Sequence, residues 1–163
     1  MLGEVEFQRW AVPCAFQLHH SGKLDDVEYG LLRKTTLEGK AMPREFLEKK
    51  FFKACQRIVD YCGGELWDAE NIRNYFTKEH NLIIAGEDAP ERSKDKCMVH
   101  LGEILEICGE NALVRYQGSR LLSEEYQGVR QREVRLDYVP KAKVGEKVWI
   151  HWGDAVCFVD ENK

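Results

Sequence analysis

The spacing of apolar residues changes partway along this chain of 163 residues, and the change limits the folds that the chain can adopt. In the first half, apolar side chains recur every three or four residues, which places them on one face of an α-helix. After residue 96 they alternate with charged residues, as in a strand that buries one face. The sequence therefore predicts an α+β protein in which a helical unit precedes a small antiparallel β-barrel.

Caps and apolar faces predict three helices in the first 85 residues. Asp25 suits the N-cap of the first helix, Pro43 the first turn of the second and Asp68 the N-cap of the third. The second helix carries an apolar stripe formed by Leu47, Phe51, Cys55, Ile58 and Cys62. Ahead of these helices, residues 3–12 alternate briefly between apolar and polar side chains, which indicates a short strand.

Residues 86–96 contain no large apolar side chain. Such a segment cannot offset the entropy that it loses on ordering by burying apolar surface, so we interpret it as a charged, solvated linker. The predicted organisation is a mainly helical domain of unknown role at residues 1–85, this linker, and a β-barrel domain at residues 97–163.

Short strands are predicted throughout the barrel domain. Val134 and Leu136 alternate with charged residues, and Val148 and Ile150 define one face of a later strand. Glycines recur between these stretches, as they do in turns and bulges. A sheet with one apolar face buries that face and loses its exposed edges when it closes, which favours a small barrel.

Charge and hydropathy exclude several classes of partner. A formal net charge of −4 gives no basic face for binding phosphates, so we expect no nucleic-acid partner. No apolar stretch approaches the ~20 residues that cross a bilayer, and the N-terminus lacks the basic residues of a signal peptide. We therefore expect no membrane association and a cytoplasmic location. The six cysteines show no paired-ligand spacing and are expected to be thiols.

Two short motifs lie near the ends of the predicted barrel. Cys97 opens the segment Cys-Met-Val-His-Leu-Gly-Glu-Ile, and His151 lies in the later segment Val-Trp-Ile-His-Trp-Gly-Asp-Ala-Val. A thiolate is a soft ligand that suits iron, and an imidazole is a common second ligand. Cys97 on the first strand and His151 on the last could therefore converge on one metal-sized site. His100 would face the other side of a regular strand from Cys97 and is a possible secondary ligand.

These two motifs and the segments between them follow one another in a distinctive order along the last ~65 residues. Between them stand Arg-Gln-Arg-Glu-Val-Arg-Leu-Asp-Tyr-Val-Pro at residues 130–140 and Val-Gly-Glu-Lys-Val at residues 144–148. In that order the region resembles the HypC/HupF family of nickel-iron hydrogenase maturation chaperones, whereas the first 95 or so residues have no counterpart there. The resemblance implies an OB-like barrel and a chaperone that carries an iron precursor.

The resemblance also implies the cargo, the partners and the roles of two residues. The cargo would be Fe(CN)2CO, and the partners would be a HypD-type maturation protein and the precursor of the nickel-iron hydrogenase large subunit. The family's iron-holding cysteine and histidine correspond to Cys97 and His151. In the family that cysteine becomes the mature N-terminus, whereas Cys97 follows Lys96. Either the α-amino group is dispensable here, or the linker is cleaved, or the chemistry has been lost.

Catalysis is not indicated by the sequence. It contains no nucleotide-binding glycine motif and no evident grouping of a nucleophile with a base, so we expect a binding protein rather than an enzyme. Two alternatives to the chaperone remain. One is a HypC-like barrel that acts only as a protein-interaction adaptor without iron, and the other is a thiol redox protein that uses Cys97 beside His100 or His151.

Overall fold

The computed structural model describes residues 1–159, and the chain divides into two compact units, Met1–Glu79 and His80–Lys163. Helices fill the N-terminal half and a closed barrel of five strands follows, which confirms the predicted fold class. Residues 160–163, which were assigned to the barrel domain, lie outside the described residues. Among the residues described, no helix is both long enough and apolar enough to span a bilayer.

The first unit is built from six short α-helices. They are α1 (Gly3–Ala11), α2 (Ala15–His20), α3 (Asp26–Leu37), α4 (Arg44–Lys50), α5 (Phe52–Cys62) and α6 (Ala69–Asn74). A 3₁₀ turn at Val12–Cys14 joins α1 to α2, and a π-helical segment at Tyr75–Glu79 extends α6. Helices this short depend on packing for their stability, because each makes few internal hydrogen bonds.

Local side-chain chemistry sets the starts of α3 and α6 as predicted. The Asp25 carboxylate accepts a hydrogen bond from the Glu28 amide at 2.8 Å, and the Glu28 side chain accepts one from the Asp25 amide at 3.1 Å. Asp68 accepts a hydrogen bond from the Asn71 amide at 2.8 Å. Pro43 lies directly before α4. These caps satisfy amide groups that have no partner inside the helix.

Two details of the first unit differ from the prediction. Residues 3–11 form helix α1 and not a strand, because Phe7, Trp10 and Ala11 are spaced to share one buried helical face. The predicted stripe helix is also divided at Phe51, whose backbone (φ −110°, ψ 35°) leaves the helical region between α4 and α5. Leu47, Phe51, Cys55 and Ile58 are nevertheless buried, so the stripe does form part of the core.

The second unit begins with two short helices, α7 (His80–Ala85) and α8 (Glu91–Cys97). Its strands are β1 (His100–Cys108), β2 (Asn111–Gln117), β3 (Val129–Arg135), β4 (Lys147–His151) and β5 (Asp154–Phe158). They close in the order β1-β2-β3-β5-β4, with β4 also paired to β1. The pairs are antiparallel except for one parallel bridge between Arg135 and Asp154. The inward side chains pack into a single apolar core.

The predicted linker has a different structure. Its second half belongs to α8, and Asp95 in that helix is only 4 % exposed. Polar contacts order this segment in place of apolar burial, because hydrogen bonds and ion pairs hold it to distant strands. Cys97 is consequently the last residue of α8, and β1 begins at His100 and not at Cys97. Helix α7, predicted as part of the helical domain, belongs to the second unit.

Gly102 occupies a position in β1 where a side chain does not fit. A Cβ atom there would lie 2.2 Å from Cγ1 of Val114, which is fully buried in the barrel core. We expect Gly102→Ala to lower the free energy of unfolding by about 1–3 kcal/mol, measured by urea denaturation. Gly153→Ala is the matched control, because nothing among the described residues lies within 4 Å of its added Cβ. Equal losses in both variants would contradict this account of β1.

Candidate metal centre

Three potential metal ligands from separate elements of the second unit converge near the end of β4. They are His80 at the start of α7, Cys97 at the end of α8 and His151 at the end of β4. Their ligand atoms all lie within 4.8 Å of one another. Both histidines are buried, Cys97 is half-buried, and the two imidazole rings meet edge to face with centroids 5.2 Å apart. The site is therefore reached from the side of the cysteine.

The backbone next to Cys97 is bonded to the backbone next to His151. The carbonyl oxygen of Lys96 accepts a hydrogen bond from the amide of Trp152 at 2.8 Å. The guanidinium of Arg132 donates to the carbonyl oxygen of Trp152 at 3.2 Å and lies 3.5 Å from that of Lys96. These contacts explain why a residue at a helix end and a residue at a strand end lie close together.

A buried polar network anchors α8 to the barrel. Oδ2 of Asp95 accepts hydrogen bonds from the hydroxyl of Tyr116 at 2.9 Å and from Nη2 of Arg132 at 3.0 Å. Burial by itself raises the pKa of the Asp95 carboxyl, but the His100 hydrogen bond, the charge of Arg132 and the Tyr116 hydrogen bond together lower it. Asp95 therefore stays ionised at neutral pH and holds the helix that ends at Cys97.

His151 is held by the turn that follows it. Trp152 adopts a left-handed backbone conformation with φ of 51°, an uncommon conformation for a residue other than glycine. The turn leads to Asp154, which forms a two-point ion pair with Arg135 at 2.8 and 2.9 Å. That contact, ahead of the opposing effect of burial, raises the pKa of Arg135. The amide of Arg135 also donates to the carbonyl of Gly153 at 2.8 Å.

His80 was not predicted as a candidate ligand. The side chain of its neighbour Asn81 ties α7 to the residue before β1, because Asn81 both donates to the carbonyl of Val99 and accepts from its amide, each at 2.8 Å. Lys94 in α8 donates to the carbonyl of Ala85 at the end of α7 at 2.9 Å. In the sequence, only the residue type of His80 suggested a metal ligand. The helical domain was predicted to continue to residue 85, which assigned His80 to a different domain from Cys97 and His151.

His100 lies outside this cluster of three ligands. Its Nε2 is 2.9 Å from the carbonyl oxygen of Asp95 and 3.4 Å from Oδ1 of the same residue. Its ring also packs against Tyr116, with centroids 4.6 Å apart. The prediction that His100 and Cys97 occupy opposite faces of one strand does not apply, because Cys97 ends α8 and β1 begins at His100. The contacts of His100 are those of a structural residue in the Asp95 network.

Other thiols have surroundings that disfavour metal binding. Burial, with a smaller effect of the Glu48 charge, raises the pKa of Cys55 to about 12. A hydrogen bond to the Glu106 carboxylate raises the pKa of Cys108 on the barrel surface. Both are expected to remain protonated at neutral pH. Within the described residues the six cysteines form no disulfide, and Cys97 is the one that lies with two imidazoles.

One sulfur and two imidazole nitrogens form a donor set that suits zinc and iron. Such ions bind nitrogen at about 2.0–2.1 Å and sulfur at about 2.3 Å, so neighbouring ligand atoms around one ion lie about 3.0–3.6 Å apart. The observed spread of up to 4.8 Å exceeds that range by about 1–2 Å, so the three side chains would have to draw closer to bind one ion. Their residue types and their convergence make them candidate ligands of a transition-metal ion.

Comparison of the chain with models of protein families, with curated proteins and with solved structures gives no match. The likeness to the HypC/HupF family accordingly rests on the motif residues. What the structure adds at the level of the fold is a small, closed, five-stranded barrel.

Proposed function

We propose that this protein is a hydrogenase maturation chaperone that carries iron as its cargo. It binds the Fe(CN)2CO precursor, receives it from a HypD-type protein and delivers it to the immature large subunit of a nickel-iron hydrogenase. One observation carries the proposal: Cys97 and His151, selected from motifs at opposite ends of the barrel sequence, have ligand atoms within 4.8 Å of each other.

The surroundings of Cys97 favour metal binding over thiol redox chemistry. Reactive thiolates are stabilised at helix N-termini, where the partial charge is positive. Cys97 is instead the last residue of α8, at the negative end of the helix. A positive metal ion supplies the charge that stabilises a thiolate there, and the two imidazoles act as further donors.

The arrangement of burial suits a carrier that later releases its cargo. The histidines are buried and held by the surrounding backbone, whereas the half-buried Cys97 gives access to the site from one side. A delivery protein needs interfaces of modest size and lifetime, since very tight binding would prevent transfer. One accessible thiolate beside fixed imidazoles meets that requirement, because a partner protein can begin to displace the iron at the sulfur ligand.

The test uses tagged full-length protein purified anaerobically from hydrogenase-producing cells. We expect it to carry iron with infrared bands in the cyanide and carbonyl regions, together with a HypD-type partner. Cys97→Ala should abolish these bands because it removes the accessible sulfur ligand. Cys108→Ala is the matched control: it removes an exposed barrel thiol outside the cluster and should leave the bands at wild-type intensity.

Two outcomes would overturn the carrier function. A protein-interaction adaptor would retain its partner in both cysteine variants and show no such bands at any stage. A thiol redox protein would turn over a disulfide substrate without iron and lose that turnover in Cys97→Ala. Circular dichroism of each variant establishes that the barrel is folded, so that a lost band reports the missing ligand.

A further inference from the structure

His80 is the member of the cluster to which the family resemblance assigns no role. It lies outside the matched region, yet its imidazole is within 4.8 Å of the ligand atoms of both other residues. We propose that His80 is a third ligand and that His80, Cys97 and His151 together bind one face of a ferrous ion. The identity of the cargo rests on the proposed function, whereas the ligand set rests on the cluster itself.

Burial and anchoring favour a ligand role for His80. It is 6 % exposed, and its ring meets the ring of His151 edge to face. Asn81 fixes the first turn of α7 through its two hydrogen bonds to Val99. Because Val99 directly precedes β1, His80 keeps its place beside the barrel in the absence of metal, which lowers the entropy lost on binding.

Three protein donors agree with the coordination number of the proposed cargo. Ferrous sites with three protein ligands on one face keep the remaining positions of an octahedron open to other ligands. Fe(CN)2CO brings three diatomic ligands, which together with three protein donors complete six-coordination. With Cys97 and His151 alone, one position would have to be filled by solvent or by a partner. His80 removes that need and would retain the cargo between partners.

A nitrogen donor from His80 also bears on whether the chain must be cleaved before Cys97. The Lys96 carbonyl, which belongs to the peptide bond before Cys97, accepts a hydrogen bond from Trp152, and Asp95 just ahead of it is buried. Cleavage before Cys97 would sever α8 from the site and separate His80 from Cys97 in the chain. We therefore expect the intact chain to bind metal, without a newly exposed α-amino group.

The experiment is an anaerobic titration of the reduced full-length protein with Co²⁺, a spectroscopic probe for thiolate ligands. We expect one Co²⁺ per chain, a thiolate-to-cobalt charge-transfer band and the mass of the uncleaved chain.

His80→Ala should weaken Co²⁺ binding more than about 100-fold, because losing a residue that only supports a metal ligand already lowers metal affinity by about 10–100-fold. Added imidazole should restore part of the affinity, which a purely structural role would not permit. His20→Ala, at an exposed histidine, is the matched control and should bind as wild type.

His80→Gln keeps a polar side chain at the buried position and is measured alongside, with circular dichroism of both variants. Wild-type Co²⁺ affinity in a folded His80 variant would overturn the three-ligand site, even if the cyanide and carbonyl bands are present. The converse result separates the two proposals. Co²⁺ binding that depends on His80, in a protein that never carries those bands, would overturn the carrier function and leave the metal site standing.

Discussion

Replacing Asp95 with alanine is expected to lower the free energy of unfolding by about 3–5 kcal/mol, the usual cost of removing one partner from a buried ion pair. Asp95 is 4 % exposed, and its Oδ2 accepts hydrogen bonds from Arg132 and Tyr116 at 3.0 and 2.9 Å. The substitution leaves a largely buried guanidinium and a buried hydroxyl without this acceptor, and neither recovers it from water.

Urea denaturation measures the loss, and amide hydrogen exchange in β1–β5 localises it. Glu103→Gln is the matched control, because Glu103 forms an ion pair with Arg115 at 3.2 Å in which both side chains are more than one-third exposed. That change should cost less than about 1 kcal/mol. A loss for Asp95→Ala as small as that of the control would show that the network does not anchor α8.

The effect of Asp95→Ala should also depend on pH in a definite direction. The pKa of Asp95 is lowered in the folded protein from its ordinary value of 3.8, because the His100 hydrogen bond and the Arg132 charge outweigh the effect of burial. A carboxyl whose pKa is lowered by folding stabilises the fold at any pH above its pKa in the unfolded chain. That stabilisation is lost as the pH falls through its pKa in the folded protein. The stability difference between wild type and Asp95→Ala should therefore be full at neutral pH and shrink below pH 3.8.

The second large effect is expected in the first unit, where Trp10→Ala should lower the free energy of unfolding by about 3–5 kcal/mol. Trp10 has no exposed surface, and its ring stacks on Phe76 with centroids 5.6 Å apart. Its indole nitrogen donates to Oε1 of Glu6 at 2.8 Å. Glu6 is itself fully buried, so the substitution creates a cavity and also removes one donor from a buried carboxylate.

Far-ultraviolet circular dichroism during denaturation measures this loss, because the signal does not require the tryptophan. Phe52→Ala provides the aromatic control, since Phe52 is 66 % exposed at the start of α5. We expect a change within about 0.5 kcal/mol for that variant. If both substitutions cost the same, the core of the first unit cannot be centred on the Trp10 and Phe76 stack.

Interactions between residues close in sequence were the most predictable part of this protein. Asp25 and Asp68 bond to amides three residues ahead, so their capping role follows from the local sequence. Alternation identifies strands for a similar reason, because neighbouring side chains on a strand point to opposite faces. The same local approach was wrong for residues 3–11. Val5 and Phe7 fit alternation over too few residues to distinguish it from the helical spacing of Phe7, Trp10 and Ala11.

Interactions between distant residues explain what was missed. Helix α8 contains no large apolar residue, and Asp95 is buried by contacts with Tyr116 and Arg132, which lie in strands far along the chain. The composition of the segment does not predict such contacts with distant residues. His80 was missed for the same reason, because its place in the second unit depends on the bonds of Asn81 to Val99 and not on any motif.

The sequence by itself determined the α+β class and the starts of α3 and α6, since each depends on residue type and short-range spacing. The choice of Cys97 and His151 as candidate ligands came from motifs that resemble the HypC/HupF family. Tertiary structure alone decided that these two side chains meet and that His80 joins them. Their convergence depends on the hydrogen bond between Lys96 and Trp152, on the closing of β4 against β1, and on the anchoring of α7 at Val99. Each contact joins segments remote in sequence, and the free energy that holds them is gained only when the whole second unit folds.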